Sequence, residues 1–438
     1  MREHIKKLYA AFLLVLCLLT LTGCGGKCAA VPGSLSSPEQ TESAEATEQP
    51  ELAESLPVQE PLTVSFEPVE AGTPLRIMVA TDLHYISPRI NDNGPRFMRA
   101  VESGDGKLSE YCEQIVDELI RTAIREKPDA LVLTGDLTFN GEKDSLEDLA
   151  EKLWAVQEAG VPVLVLPGNH DVGYPFAFAY AGEDAYWAAN ISQPDFTEIC
   201  GPFGYDGALS RDAASFSYMY GLAEDCRLLF LDANTADGRG GLKEETLQWA
   251  QAQLQAANEA GTAVISVSHQ NVLAQSEMLS SGYVIKNCRK TAALLREYGV
   301  STHLSGHSHI QHSAAKDGLT DYCTGCLSLF PLRYAVLELD EARNVSYGTG
   351  HLAILQEEAA ERMISSNRAK IVERMAGLDI PEEEAEQMAD FAARLNLDYF
   401  AGQVDAEAAR ADPAWALWEK YGTGNFWLPY MQSMLGSG

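Results

Sequence analysis

The sequence predicts an α/β fold built as two sheets packed on each other and flanked by helices, followed by a helical C-terminal domain. Three observations carry this. After Thr73, short apolar runs alternate with stretches of helical period; two late apolar runs follow each other without a helix between them; and beyond Leu352 the strand signals stop. With 438 residues, 46% of them hydrophobic, the chain can bury one large core or two moderate ones. Its formal charge of −31 repels phosphate polymers, so a nucleic-acid binder working through a broad basic face is disfavoured. Any phosphate chemistry needs a local reversal of sign.

The N-terminus reads as an export signal. Arg2, Lys6 and Lys7 precede an apolar run from position 8 to 21, too short for a membrane-spanning helix of roughly 20 residues. The ending Leu21-Thr22-Gly23-Cys24 resembles a bacterial lipobox, which implies a signal peptide over 1–23 and a mature chain lipidated at Cys24. That reading predicts an extracytoplasmic protein anchored to the membrane of a bacterial cell envelope. Residues 24–72 then read as an acidic tether: glutamates recur every third residue from Glu39 to Glu54, no basic residue lies between Lys27 and Arg76, and Pro50, Pro57 and Pro61 oppose a helix. Such a tether reaches about 40 Å as a flexible coil.

The body is read as a catalytic domain over 73–350 and a helical domain over 351–438. Buried strands are expected at 75–80, 130–134, 163–166, 227–231, 263–267 and 302–304. Leu108, Tyr111, Ile115, Leu119, Ala123 and Ile124 recur at helical spacing, and further helices are expected over 144–158 and 244–258. Late strands around 322–330 and 334–339 are read as part of a second sheet. The stretch 172–207, rich in aromatics, Gly and Pro, reads as an excursion without clear period. In the C-terminal part, Ala359, Met363, Ile371 and Met375 give one helix and Asp379 before Pro381 starts another. Trp415, Leu417, Trp418, Phe426 and Trp427 form a late aromatic cluster. Cys323 and Cys326 read as a disulfide or as two buried thiols rather than as a zinc site, which would want a second pair.

The informative feature is what ends the strands. They run into Thr81-Asp82-Leu83-His84, Gly135-Asp136, Gly168-Asn169-His170-Asp171, Ser268-His269 and Gly306-His307-Ser308-His309. Loops from the carboxyl edge of an open α/β sheet converge on one crevice. Five of the chain's nine histidines sit at these exits. Asp82, His84, Asp136, Asn169, His269, His307 and His309 make a mixed nitrogen and oxygen ligand set without a thiol, suited to zinc, manganese or iron. Seven ligands are too many for a single centre that keeps an open position, so two metal ions are expected. Two divalent cations against two aspartates and a bridging hydroxide leave the pocket net positive, which makes an anion trap in an acidic protein. Such a pair lowers the pKa of a shared water and clamps the attacking and leaving oxygens at phosphorus.

The ordered set Asp-x-His, Gly-Asp, Gly-Asn-His-[Asp/Glu], His, Gly-His-x-His resembles the calcineurin-like metallophosphoesterase superfamily over roughly residues 75–312, and with it the four-layer fold of that family. The resemblance implies that Asp82, His84 and His309 hold one metal, that Asn169, His269 and His307 hold the second, and that Asp136 bridges. It implies two divalent or mixed-valence ions (Mn, Fe or Zn). His170 matches the family histidine that contacts phosphate and gives a proton to the leaving oxygen. Protein phosphatases carry Asp-Arg-Gly after Gly-Asp, whereas this chain reads Gly135-Asp136-Leu-Thr-Phe-Asn140-Gly141-Glu142. The run from His84 to Gly94, the later Gly104-Asp-Gly-Lys107 and the helical C-terminus are similar to secreted Gram-positive proteins described as cyclic nucleotide phosphodiesterases. The expected activity is therefore hydrolysis of small phosphoesters outside the cytoplasm, with phosphodiesters such as cyclic nucleotides foremost, by attack of a metal-bridging hydroxide. A phosphomonoesterase on the same site, a metal hydrolase of another bond and a non-catalytic lipid-anchored binder are the alternatives. Tyr85, Asn91, Asn93, Phe97, Tyr174 and Phe176 are candidates either to line a substrate pocket or to stabilise their own loops.

Overall fold

The computed structural model describes residues 64–235 and 240–436. The signal segment, Cys24 and all but the end of the tether lie outside the described residues. Residues 69–72, which the tether reading includes, are held against the body: Val69 donates its N–H to Leu222 O at 3.0 Å, and Gly72 N–H reaches the Asp225 carboxylate at 3.0 Å. No described helix is long and apolar enough to cross a membrane.

Strand β1 (Leu75–Ala80) leads through helices α1 (Pro95–Glu102) and α2 (Cys112–Glu126) to β2 (Ala130–Leu133), then through α3 (Lys143–Glu158) to β3 (Val163–Val165). These three strands are apolar at almost every position and buried on both faces, as parallel strands between layers must be. The stretch read as irregular contains a hairpin, β4 (Phe178–Ala181) and β5 (Asp184–Trp187), and helix α4 (Gln193–Cys200). A reciprocal cap between Ser192 and Asp195 starts α4; the short spacing hides its period in the sequence. Next come β6 (Ser210–Arg211), β7 (Tyr218–Ala223), β8 (Cys226–Leu231), α5 (Glu244–Glu259), β9 (Ala263–Ser268), α6 (Cys288–Glu297) and β10 (Thr302–Ser305). The strands β11 (His312–Lys316), β12 (Leu319–Cys323), β13 (Arg333–Leu339) and β14 (Val345–His351) complete the sheets.

The five-stranded sheet has the order β14-β13-β1-β2-β3 and the seven-stranded sheet β11-β12-β10-β9-β8-β7-β6. The six early strands are thus divided three and three between the sheets. Of the late pair, β12 joins the second sheet parallel to β10, while β13 returns to lie antiparallel beside β1, with Ile77 opposite Leu337. The strand expected over 322–330 ends at Cys323, and the chain turns there before β13. Ile77, Val79 and Val132 of one sheet meet Leu228, Phe230, Val267 and Leu304 of the other in one buried cluster, which extends under α2 and α3. On the outer face of the second sheet, Leu229 and Leu231 pack against Leu247 and Leu254 of α5 and Leu295 of α6. Helix, sheet, sheet and helix make four layers.

The C-terminal helices are α7 (Gln356–Met375), α8 (Glu382–Phe400), α9 (Ala406–Ala411), α10 (Pro413–Tyr421) and α11 (Trp427–Met434). Helix α7 buries Ala359, Met363, Asn367, Ile371 and Met375, a single stripe at a spacing of four that explains its otherwise polar composition. Trp418 is fully buried and donates its indole N–H to Met388 O at 2.9 Å. Around it Phe391, Trp415, Trp427 and Met431 build a separate core that also takes in Ile310 and Cys323 of the sheet region. Cys323 and Cys326 are free, buried thiols.

Candidate active site

The strand ends that carry polar residues are joined by main-chain hydrogen bonds beyond the sheets. Asp82 N–H reaches Gly135 O and His84 N–H reaches Asp136 O, both at 3.0 Å; Gly306 N–H reaches His269 O at 2.9 Å. Asp82 then crosses between the sheets, its Oδ2 accepting from His307 N–H at 3.0 Å and from Thr81 Oγ1 at 2.8 Å. Asp136 Oδ1 accepts from His170 N–H at 2.8 Å. Such tight convergence needs glycine. A Cβ on Gly168 would stand 2.2 Å from Asp136 N, and one on Gly306 would stand 2.0 Å from Thr81 Oγ1.

Five of the seven residues expected to bind metal have left-handed backbones: Asp82, His84, Asp136, His307 and His309, with φ between 46° and 63°. This region disfavours non-glycine residues, and strain of this kind, about 1–3 kcal/mol each, persists only where surrounding structure enforces it. The structure brings all seven side chains together. Ligand atoms of Asp82, His84, Asp136 and His309 lie within 4.8 Å of one another, and so do those of Asp136, His269 and His307. Asp136 belongs to both groups, and Asn169 Oδ1 lies 3.2 Å from His269 Nε2.

The rings are oriented by partners on their far sides. His269 Nδ1 faces Thr134 O at 3.0 Å, a carbonyl that can only accept, so the proton sits on Nδ1 and Nε2 points inward. His307 is held the opposite way round, with Nε2 at 3.0 Å from Gly282 O. His170 Nδ1 lies 3.2 Å from Phe139 O and 3.0 Å from Asn140 Oδ1, and its ring stacks on Tyr174 at 4.6 Å. Burial pushes His307 down to about 4 and, with the Lys107 ammonium, holds His84 well below its ordinary value, leaving both rings neutral. Burial works to raise Asp136 and Asp82, yet the imidazoles, chiefly His269 at Asp136 and His309 at Asp82, hold both carboxyls below the usual range. Against the opposing effect of burial, the same carboxylates lift His269 to about 9 and help lift His309 to about 8. Protons and cations compete for such rings.

The residues fit a metal pair. Asp82 Oδ1 and His84 Nε2 are buried and make no hydrogen bond, although His309 Nε2 is 3.3 Å from that same oxygen. Buried polar atoms are nearly always satisfied, and two unsatisfied lone-pair donors converging with a shared aspartate are what hard or borderline cations require.

Four residues not included in the sequence-derived site support it. Asp171 accepts from the N–H groups of Leu137, Thr138 and Gly168 and from Thr138 Oγ1, tying the Asp136 and Asn169 loops together; burial and Asp136 still push its carboxyl up to about 6. Asn140 steadies His170. Asp105 Oδ2 stands 3.4 Å from His309 Nδ1, and Lys107 Nζ is 3.1 and 3.0 Å from the two Asp105 oxygens. The motif Gly-Asn-His-Asp contained a signal for Asp171; Asn140, Asp105 and Lys107 fall in runs noted for their likeness or contrast to known families, but nothing in their spacing assigned them to the site. Of the aromatic candidates, Tyr85 and Phe97 are fully buried and serve the core, with Tyr85 OH on Glu113. Asn91 and Asn93 bond each other at 2.9 Å. Only Tyr174 and, beyond it, Phe176 adjoin His170.

Glu142 closes the loop after Asp136. Its Oε2 accepts from Asn140 N–H at 3.0 Å while Oε1 is buried without a partner, and burial raises its pKa to about 7. The folded chain therefore holds this proton more tightly than the unfolded chain does. Its stabilisation is complete below the ordinary value near 4.5 and lost as pH rises through about 7, at up to about 1.4 kcal/mol per unit. In chelator, the unfolding midpoint should fall from pH 5 to pH 8, and Glu142→Gln should flatten that slope; parallel slopes would show that Glu142 is ionised throughout.

A two-sheet α/β sandwich presenting a nitrogen and oxygen ligand set at its strand ends defines a metal-centre protein. Residues 75–311, more than half of the chain, match the Calcineurin-like phosphoesterase family, and the chain belongs to that family. Residues 355–437 match the C-terminal domain of cyclic nucleotide phosphodiesterase. Among curated proteins, the glycerophosphodiester phosphodiesterase GpdQ of Enterobacter lignolyticus is 27% identical over 189 residues, 42% of this chain and 58% of the relative. A probable cyclic nucleotide phosphodiesterase of Moraxella catarrhalis is 26% identical over 197 residues, 44% of this chain and 63% of the relative. The chain thus spans about six-tenths of the length of the curated relatives it matches. Among solved structures, a dimetal phosphatase from Danio rerio is similar at 14% identity with a TM-score of 0.44, covering 66% of this chain and all of that one.

Proposed function

We propose that the protein is an extracytoplasmic, lipid-anchored phosphoesterase that uses two metal ions to hydrolyse small phosphodiesters, cyclic nucleotides among them. The observation that carries this reading is the pair of overlapping ligand groups sharing Asp136. Asp82, His84 and His309 would hold one ion, Asn169, His269 and His307 the other, and Asp136 both. Bound there, the ions supply Lewis acidity and a net positive pocket for the phosphoryl group. The chain's own residues do the rest. Asp136 and Asp82 supply the fixed negative charge that retains the cations; Thr134 O and Gly282 O orient the His269 and His307 rings. With Nδ1 fixed by Phe139 O and Asn140 Oδ1, His170 directs Nε2 toward the site, where it serves the departing oxygen as proton donor. The matches to phosphodiesterase-named relatives support the diester preference.

The chain beginning at Val64, supplied with manganese, should turn over bis-p-nitrophenyl phosphate faster than p-nitrophenyl phosphate. The reverse ranking would make it a monoesterase, and turnover of neither would make it a binder. Anchoring is tested separately: cells fed labelled palmitate should label the full chain and not Cys24→Ala, and equal labelling would remove the lipid assignment.

A further inference from the structure

We propose that the helical C-terminal unit sets one half of the metal site through Asp105, the positioning residue for His309; this rests on the function proposed above. Asp105 Oδ2 stands 3.4 Å from His309 Nδ1, an ion-pair contact on the side of the ring from which carboxylates orient metal-binding imidazoles. Within the catalytic domain that carboxylate is paired with Lys107 of its own loop, and Leu108 N–H ties the loop to Ser328 O at 2.9 Å. The same loop is fastened to α7: Gly104 O accepts from Lys370 Nζ at 2.7 Å and from Ser366 Oγ at 3.4 Å. Gly106, at φ +100°, lies so close to the helix that a Cβ would stand 3.1 Å from Met363 Cα, and Met363 is itself buried. A few residues on, Arg362 of α7 pairs with Glu110.

The other flank of His309 is gripped by the same unit. Gln311 N–H donates to Phe400 O at the end of α8 at 2.9 Å, Arg333 Nε donates to Ala401 O at 3.0 Å, and Gly402 leaves no room for a Cβ beside Gln311 O, which would be 2.5 Å away. Ile310, next to His309, is buried in the core of the C-terminal unit. By contrast, His269 and His307 are oriented by Thr134 O and Gly282 O, outside the C-terminal helices. The C-terminal core also packs on Leu279 and Tyr283, on either side of Gly282, but the contact made through Asp105 falls on the Asp82, His84 and His309 half of the site.

The test is manganese binding to the full chain, followed by calorimetry and by the electron paramagnetic resonance of the coupled pair. Asp105→Ala should weaken one of two sites by about 10–100-fold and leave the other unchanged. Asp105→Asn, which keeps an oxygen facing His309 Nδ1, should recover part of the loss, and Lys370→Ala should shift the same site by less. Wild-type affinities for both sites in Asp105→Ala, or equal weakening of both, would overturn the proposal. If Asp105→Ala does not fold, the Asp105→Asn and Lys370→Ala pair decides by the same criterion of one site against two. Wild-type protein that binds no manganese pair would instead refute the proposed function.

Discussion

Asp136→Asn should cut turnover by about 10³-fold, because the substitution removes one negative charge from the position shared by both ligand groups. Lewis-acid stabilisation is worth several kcal/mol, and about 4 kcal/mol corresponds to that factor. Asparagine keeps the volume and can still accept from His170 N–H, which reaches Asp136 Oδ1 at 2.8 Å, so the loops retain their main-chain contacts. What changes is retention of cations. Oδ2 lies 3.8 Å from His84 Nε2 and Oδ1 3.3 Å from His269 Nε2, so one carboxylate reaches into both halves. Elemental analysis of the variant should show fewer than two ions per chain with an unchanged circular-dichroism spectrum. Full turnover with one aspartate lost would refute a shared bridging carboxylate.

Removal of the His170 ring gives the second large effect, and its size should depend on the leaving group. A positioned proton donor contributes about 10²–10⁴-fold. His170→Ala should therefore lose that factor on a cyclic nucleotide, whose departing alkoxide needs a proton. The loss should be much smaller on bis-p-nitrophenyl phosphate, since p-nitrophenolate departs as a stable anion. Metal content should stay the same, because His170 belongs to neither ligand group, although its ring centroid is 5.1 Å from that of His84. Equal losses on both substrates would leave His170 a binding residue with no role in proton transfer.

Legibility of the site followed from chemistry that cannot be moved in the chain. Imidazoles and carboxylates that hold an ion between strands must lie at strand exits, and backbones that approach so closely need Gly168 and Gly306 beside them; these are letters that stand out against apolar runs. Asp105 stood out only as part of Gly104-Asp-Gly-Lys107, by resemblance, and not as a residue of the site. It is 21 residues beyond His84 in a loop of common polar residues, and its position depends on Lys370, Ser366 and Met363, which lie more than 250 residues further along. The buried stripe of α7 was visible because a spacing of four survives a polar composition. The start of α4 was not, because eight residues give barely two turns of pattern.

Sheet assignment shows the same division. β1 is buried nearly throughout, while β13 alternates toward its end, with Glu338 exposed between Leu337 and Leu339; neither pattern names a neighbour, and the antiparallel return of β13 to β1 is fixed by where the turn after Cys323 delivers the chain. The left-handed conformations of Asp82, His84, Asp136, His307 and His309 are equally silent in sequence: Asp and His enter this region more readily than most residues, but nothing local marks which of them do. The sequence by itself determined the existence of the strands that lead into the site, the order of the polar groups that end them and hence the kind of ion they suit, because hydrophobic period and ligand type are local properties. Tertiary structure alone decided how the strands divide between two sheets, which carboxylate steadies His309 and how far the C-terminal helices reach into the site, because these depend on long-range packing that no local pattern encodes.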